Sequence, residues 1–183
     1  MKTTQILIKS ALALAMAAPL MASADSQLVI GNAVQTTGAS ANLDFRVIIP
    51  RVLFLQVGDA TTVDEVEFDL GSTQPGSGTV ARTNGTTVPV TVLGNGGLVT
   101  LTSSNGGDLV SGTDTIPWSQ ITATSSDETN FPSPSPAGEA VSLGLTAGKI
   151  TNRTADWTFT FANSAVVGEG TYVGQVTYTA TLP

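Results

Sequence analysis

The chain has 183 residues, no cysteine and no histidine, and its 14 acidic residues outnumber its 7 basic ones to leave a net charge of −7. Without cysteine it cannot rest on a disulfide framework, and without histidine it lacks the commonest general base and nitrogen metal ligand. The negative balance disfavours nucleic acid and anionic membranes as partners.

Residues 1–24 read as a secretory signal peptide. Lys2 and Lys9 give a positive front, residues 11–20 a short apolar run, and Ala22-Ser23-Ala24 a small-x-small cleavage pattern. The run is short for a bilayer span, so no membrane insertion is expected after signal removal. The expected location is secreted, extracellular or at the cell surface, through the periplasm in a Gram-negative host. Cutting before Asp25 takes 24 residues from 183 and leaves 159, and losing Lys2 and Lys9 takes the charge from −7 to −9. Such a length suits one domain able to bury about two-thirds of its unfolded surface.

Residues 25–41 read as an N-terminal strand or donor extension. Leu28, Ile30 and Val34 share one parity, which Asn32 interrupts and Gly31 weakens. This is either an ordinary first strand or a segment that pairs with a neighbouring subunit. In the second case Leu28, Ile30, Asn32 and Val34 are the donor positions.

The expected body is residues 42–183, and its first stretch, 42–57, carries the strongest pattern. Leu43, Phe45, Val47, Ile49, Leu53, Leu55 and Val57 fall on one parity, broken by Arg51, while apolar Ile48, Val52 and Phe54 make the opposite parity less clean. A two-residue period is what a strand needs to press one face on a core. Pro50 cannot donate to a ladder, so two β segments joined by a bend at 49–51 are expected. Next, Glu65, Glu67 and Asp69 alternate with Val66, Phe68 and Leu70, which reads as a strand with one acidic, wet face.

Val88, Val90 and Val92 make another alternating strand, with Pro89 favouring an edge or strand-start position. Two Asn-Gly-Gly runs, at 95–97 and 105–107, supply tight turns on either side of a short strand near 98–102, which reads as a meander. Residues 109–124 suggest one short strand or an irregular cover. Residues 125–138, with Pro132, Pro134 and Pro136, read as an exposed loop. Val141, Leu143 and Leu145 alternate again. Trp157, Phe159 and Phe161 then share a face and nominate 156–161 as the centre of a sheet. Tyr172, Val176, Tyr178, Ala180 and Leu182 close the chain, with Gly174 marking a bulge or close backbone approach.

Helical periodicity is nearly absent beyond the leader, and eight to ten short strands point to an all-β fold: a two-layer antiparallel β-sandwich, immunoglobulin-like or pilin-like. Constellations for chemistry are sparse. Without histidine the familiar acyl-transfer relay cannot be built, and the one lysine of the mature chain, Lys149, follows a glycine in a turn-like segment. Asp64, Glu65, Glu67 and Asp69 are the obvious candidate carboxylate cluster for glycoside hydrolysis or calcium, and a solvated face accounts for them better. Asp108, Asp114, Asp127 and Glu128 lie in loops that fit no calcium-binding spacing. Asn84-Gly85-Thr86 and Asn152-Arg153-Thr154 match the N-glycosylation pattern. Trp118, Trp157, Tyr172 and Tyr178 offer either a glycan surface or core packing, and Trp157 and Tyr178 favour the core. No cofactor or metal is expected, and no catalytic residue is nominated.

The ending GEGTYVGQVTYTATLP, residues 168–183, resembles the last strand of bacterial fimbrial-type (pilin-like) subunits and related secreted surface β-sandwiches. There a Gly-x-Tyr-x-Gly approach precedes an alternating terminal strand. The resemblance implies a structural subunit of an extracellular filament or surface layer that self-associates by β-strand addition, with an N-terminal extension completing the next subunit's sandwich. Two other functions compete with it. One is a secreted carbohydrate- or protein-binding module acting through loops. The other is a carboxylate-dependent hydrolase.

Overall fold

The computed structural model describes residues 27–31, 38–59, 65–164 and 166–183. The chain divides into two units, Met1–Ile48 and Ile49–Pro183. The described part of the first unit carries no strand or helix.

The described residues of the second unit form ten strands: β1 (Leu53–Val57), β2 (Val80–Ala81), β3 (Val88–Gly94), β4 (Thr100–Asn105), β5 (Leu109–Ser111), β6 (Asp114–Ile116), β7 (Ile121–Ser125), β8 (Glu139–Ser142), β9 (Thr151–Phe161) and β10 (Val176–Thr181). One turn of 3-10 helix, Trp118–Gln120, precedes β7. The larger sheet runs β1-β3-β9-β2, with β7 also paired to β9; the second runs β10-β4-β8, and β5-β6 is a separate hairpin. Every pairing between named strands is antiparallel. The two main sheets pack face to face, as expected for a two-layer β-sandwich.

Alternation explains the core. In β9, Thr151, Ala155, Trp157, Phe159 and Phe161 are buried, while Asn152, Thr154, Asp156 and Thr158 face water. β3 presses Val88, Val90 and Val92 inward from the same sheet, and Leu101 of β4 answers from the other, all of them essentially inaccessible. Trp157 sits at the middle, edge-on to Phe131 at 6.1 Å and to Tyr178 at 5.0 Å between ring centroids. The aromatic strand is therefore the centre of its sheet, as its sequence predicts, and Trp157 belongs to the core and not to a surface.

Four expectations are corrected. In 42–57 only Leu53–Val57 forms a strand, and Leu43, Phe45, Val47 and Ile49 are 76–86% exposed. Residues 65–70 keep the expected exposed/half-buried alternation but form no strand. There Glu67 donates its backbone N–H to the Asn84 side chain (2.9 Å) and accepts at its carbonyl from Thr83 N–H (2.8 Å). The 125–138 loop is not a solvated tip either: Phe131, Pro134 and Pro136 are fully buried. Asp127 folds it by accepting from the Asn130 N–H and side-chain amide at 3.1 and 3.2 Å, so Phe131 is turned onto Trp157. Residues 109–124, finally, resolve into β5, β6, the 3-10 turn and β7.

Candidate functional site

The arrangement that stands out is an edge. β1 pairs only with β3 and β10 only with β4 among the described strands, so each ends its sheet. These two edges lie side by side, on the same flank of the sandwich. At one end they converge, because β3 passes from the first sheet to β4 in the second through the 95–99 turn. Gly94 lies in that corner. A Cβ built on it would meet Val99 Cγ2 at 2.9 Å, Leu182 Cδ2 at 3.3 Å and Leu53 Cδ1 at 3.6 Å. Glycine is what lets the first and last strands close onto the same point.

Polar bonds lock this corner. Asn95 accepts from Val52 N–H (2.7 Å) and donates to the Pro50 carbonyl (2.8 Å), and the Arg51 guanidinium donates to the Pro183 carbonyl. Along this flank the inner faces are only partly covered. Val176, Tyr178, Ala180 and Leu182 all point toward the core, yet all four are only half-buried. On β1, Leu53 at the corner is 39% exposed, and Leu55 and Val57 beyond it are half-buried. By contrast, Leu101 on β4, one strand inward from β10, is 0% exposed. The core is complete in the middle and thin along this flank. Burial pushes the Tyr178 phenol pKa up to about 12.

The Gly-x-Tyr-x-Gly segment leads β10 into place. Val173 forms an isolated bridge with Val110, exchanging backbone bonds of 3.0 and 3.1 Å. Tyr172 Oη donates to the Gly168 carbonyl at 2.8 Å. A Cβ on Gly174 would lie 2.7 Å from Trp118 Cζ2, so the close approach expected at this glycine is present.

The donor positions nominated from sequence fall as follows. Leu28 and Ile30 are 84% and 80% exposed, and Gly31 between them and Val34 has φ +89°, a left-handed conformation that interrupts an extended run. Asn32 and Val34 lie outside the described residues. The stretch that the sequence reading assigned to the core, 43–49, carries four exposed apolar side chains on one parity, with Ile48 exposed on the other. Its pattern was visible in the sequence; nothing local distinguishes a strand that serves its own core from one free to serve another.

The chemical alternatives find little to work with. Glu65, Glu67 and Asp69 are exposed, and Asp64 lies outside the described residues. No group of three or more acidic, histidine or cysteine side chains suited to a metal occurs among the described residues. Asp127 and Glu128 are occupied as acceptors within their own turn. Two shallow depressions mark the surface: one is lined by Ile49, Pro50, Arg51, Asn95 and Ile150, the other by residues 106–108, 110 and 173–175. Neither gathers paired carboxylates or aromatic rings. The Asn84 amide is committed to Glu65, Glu67 and Arg82, which leaves it poorly placed to accept a glycan. Among the described residues no helix is long and apolar enough to cross a membrane.

Comparison with known protein families, curated proteins and solved structures returned no match.

Proposed function

We propose that this protein is a secreted structural subunit that builds an extracellular filament or surface layer by β-strand addition. One observation carries the reading: the free edges of β1 and β10 lie together while the inward side chains of β10 remain half-covered. A strand laid there gains backbone hydrogen bonds from an edge and apolar contacts from the faces beneath it, the two terms that drive strand addition. An uncovered edge is otherwise an aggregation hazard, which proteins blunt with charges, prolines or bulges. β10 carries none of these: its sequence is Val-Thr-Tyr-Thr-Ala-Thr.

Export through the leader and the N-terminal donor extension complete the reading. Two stretches with apolar residues on one parity precede β1, the 28–34 segment, interrupted at Asn32, and the 43–49 segment, and each is a candidate donor. A secreted binding module is the weaker reading, since Trp157 and Tyr178 are spent on the core. Negative-stain microscopy of material sheared from expressing cells tests the proposal. Regular filaments or a layer containing this chain are expected. Monomers under every assembly condition would overturn it.

A further inference from the structure

Resting on that strand-addition reading, we infer that the added strand is residues 43–49 of a second copy of this chain, set antiparallel to β10, and that this direction makes growth head-to-tail. The choice of segment follows from its shape. Leu43, Phe45, Val47 and Ile49 are 76%, 86%, 83% and 77% exposed and lie on one parity, with no glycine among residues 43–49. The 28–34 segment is divided by Gly31 in a left-handed conformation and has polar Asn32 on its apolar parity. Four apolar side chains thus meet four half-covered ones: Val176, Tyr178, Ala180 and Leu182.

Antiparallel to β10, Leu43 faces Leu182, Phe45 faces Ala180, Val47 faces Tyr178 and Ile49 faces Val176. Side-chain volume selects this register. Ala180 is the smallest inward residue of β10, between Tyr178 and Leu182, and Phe45 is the largest of the segment. Directly opposed residues bring their side chains into contact, so the ring fills the space that alanine leaves. Charge does not oppose the fit: residues 175–182 carry none, and Asp44 and Arg46 fall on the segment's other parity and offset each other.

Direction follows from where the segment leaves its body. Asn95 and the Pro183 carbonyl hold residues 50–52 at the corner of the 95–99 turn. The opposite end of the sandwich carries Val57, Val90, Asn105 and Val176. In the antiparallel setting Ile49, nearest its own body, lies at the acceptor's Val176. The corner of one copy then abuts the far end of the next. Such a contact is heterologous, leaves one free segment and one free edge, and propagates. The parallel setting would bring two corners together, where each copy's segment reaches the other's edge and the pair closes as a two-fold dimer.

The chain has no cysteine, so paired cysteine variants report the contact directly. Full-length Phe45→Cys and Ala180→Cys chains, purified separately and mixed under mild oxidation, are expected to form a disulfide-linked pair containing one of each. The double variant is expected to give a ladder rising by single subunits. A double variant that stops at a dimer, or links only within one chain, overturns the inference. So does an Ile30→Cys chain that links to Ala180→Cys while Phe45→Cys does not, although strand addition itself would survive that result. A second measurement covers the case in which Ala180→Cys folds poorly: sedimentation of Phe45→Asp and Ile30→Asp in the otherwise native chain. Loss of assembly in Phe45→Asp alone is expected. Loss in Ile30→Asp alone overturns the assignment, and monomers from the unaltered chain overturn both this inference and the function it rests on.

Discussion

The middle of the sandwich and its β1/β10 flank are written in the same alternating pattern, yet they end in different physical states. Around Trp157 every apolar side chain has neighbours on all sides: Val88, Val90 and Val92 beside it, Leu101 opposite, and Phe131 folded over from the loop. Along β10 the same kind of side chain has neighbours beneath and on one side only. A dense interior gains from dispersion and from exclusion of water; a half-covered face keeps part of that gain in reserve for whatever covers it. The middle accounts for stability, and on the proposed function the flank is where a second copy adds its strand. Substitutions in the two places should therefore separate cleanly.

Removing the centre has the largest expected effect. Trp157→Ala deletes a fully buried ring from the contact between sheets and should cost about 3–5 kcal/mol, read as a lower urea midpoint with monomer and assembly both lost. Next comes an alkaline dependence that belongs to the boundary between the regions. Burial raises the Tyr178 pKa to about 12, above the value of about 10 for an exposed tyrosine. The folded state thus favours the neutral phenol. Its contribution is whole below pH 10 and is lost as pH rises through 12, a fall on the order of 2–3 kcal/mol at saturation. Denaturation curves across pH 9–12.5 should show that fall in the native chain and its reduction in Tyr178→Phe.

Smaller still is the polar clasp beneath the covering loop. Ser103 Oγ donates to the Ser135 carbonyl at 2.6 Å and accepts from Glu139 N–H at 2.9 Å. Ser103→Ala strands both partners in a buried place, at a cost of about 1–3 kcal/mol by thermal or urea unfolding. Gly174→Ala should cost a similar 1–3 kcal/mol through overpacking against Trp118. The smallest effect on the folded monomer sharpens the comparison most. Phe45 is 86% exposed, so Phe45→Asp should leave monomer stability within about 0.5 kcal/mol while abolishing assembly in sedimentation.

Much of the middle was legible because its signals are local. Trp157, Phe159 and Phe161 alternate without interruption, and β9 forms where they predict it. The Asn-Gly-Gly run at 95–97 does turn the chain, but as a corner between sheets and not as the meander expected there, since β3 and β4 pair in different sheets. Two failures have a common physical cause. Residues 43–49 put Leu43, Phe45, Val47 and Ile49 on one parity as a core strand does, Ile48 being the exception, but alternation records only that a face wants covering, not whose core covers it. The 125–138 loop hides the reverse case: its polar composition masks Phe131, Pro134 and Pro136, which the Asp127 turn delivers to the interior. The flank itself had no sequence signature, since an open edge is a property of which strands end up adjacent.

The most direct test of an open flank filled by another copy is amide hydrogen exchange along β10, compared between assembled native chain and monomeric Phe45→Asp. Protection across Val176–Thr181 should rise on assembly, with Thr151–Phe161 of β9 equally protected in both. Identical exchange in β10 in the two states would contradict the account.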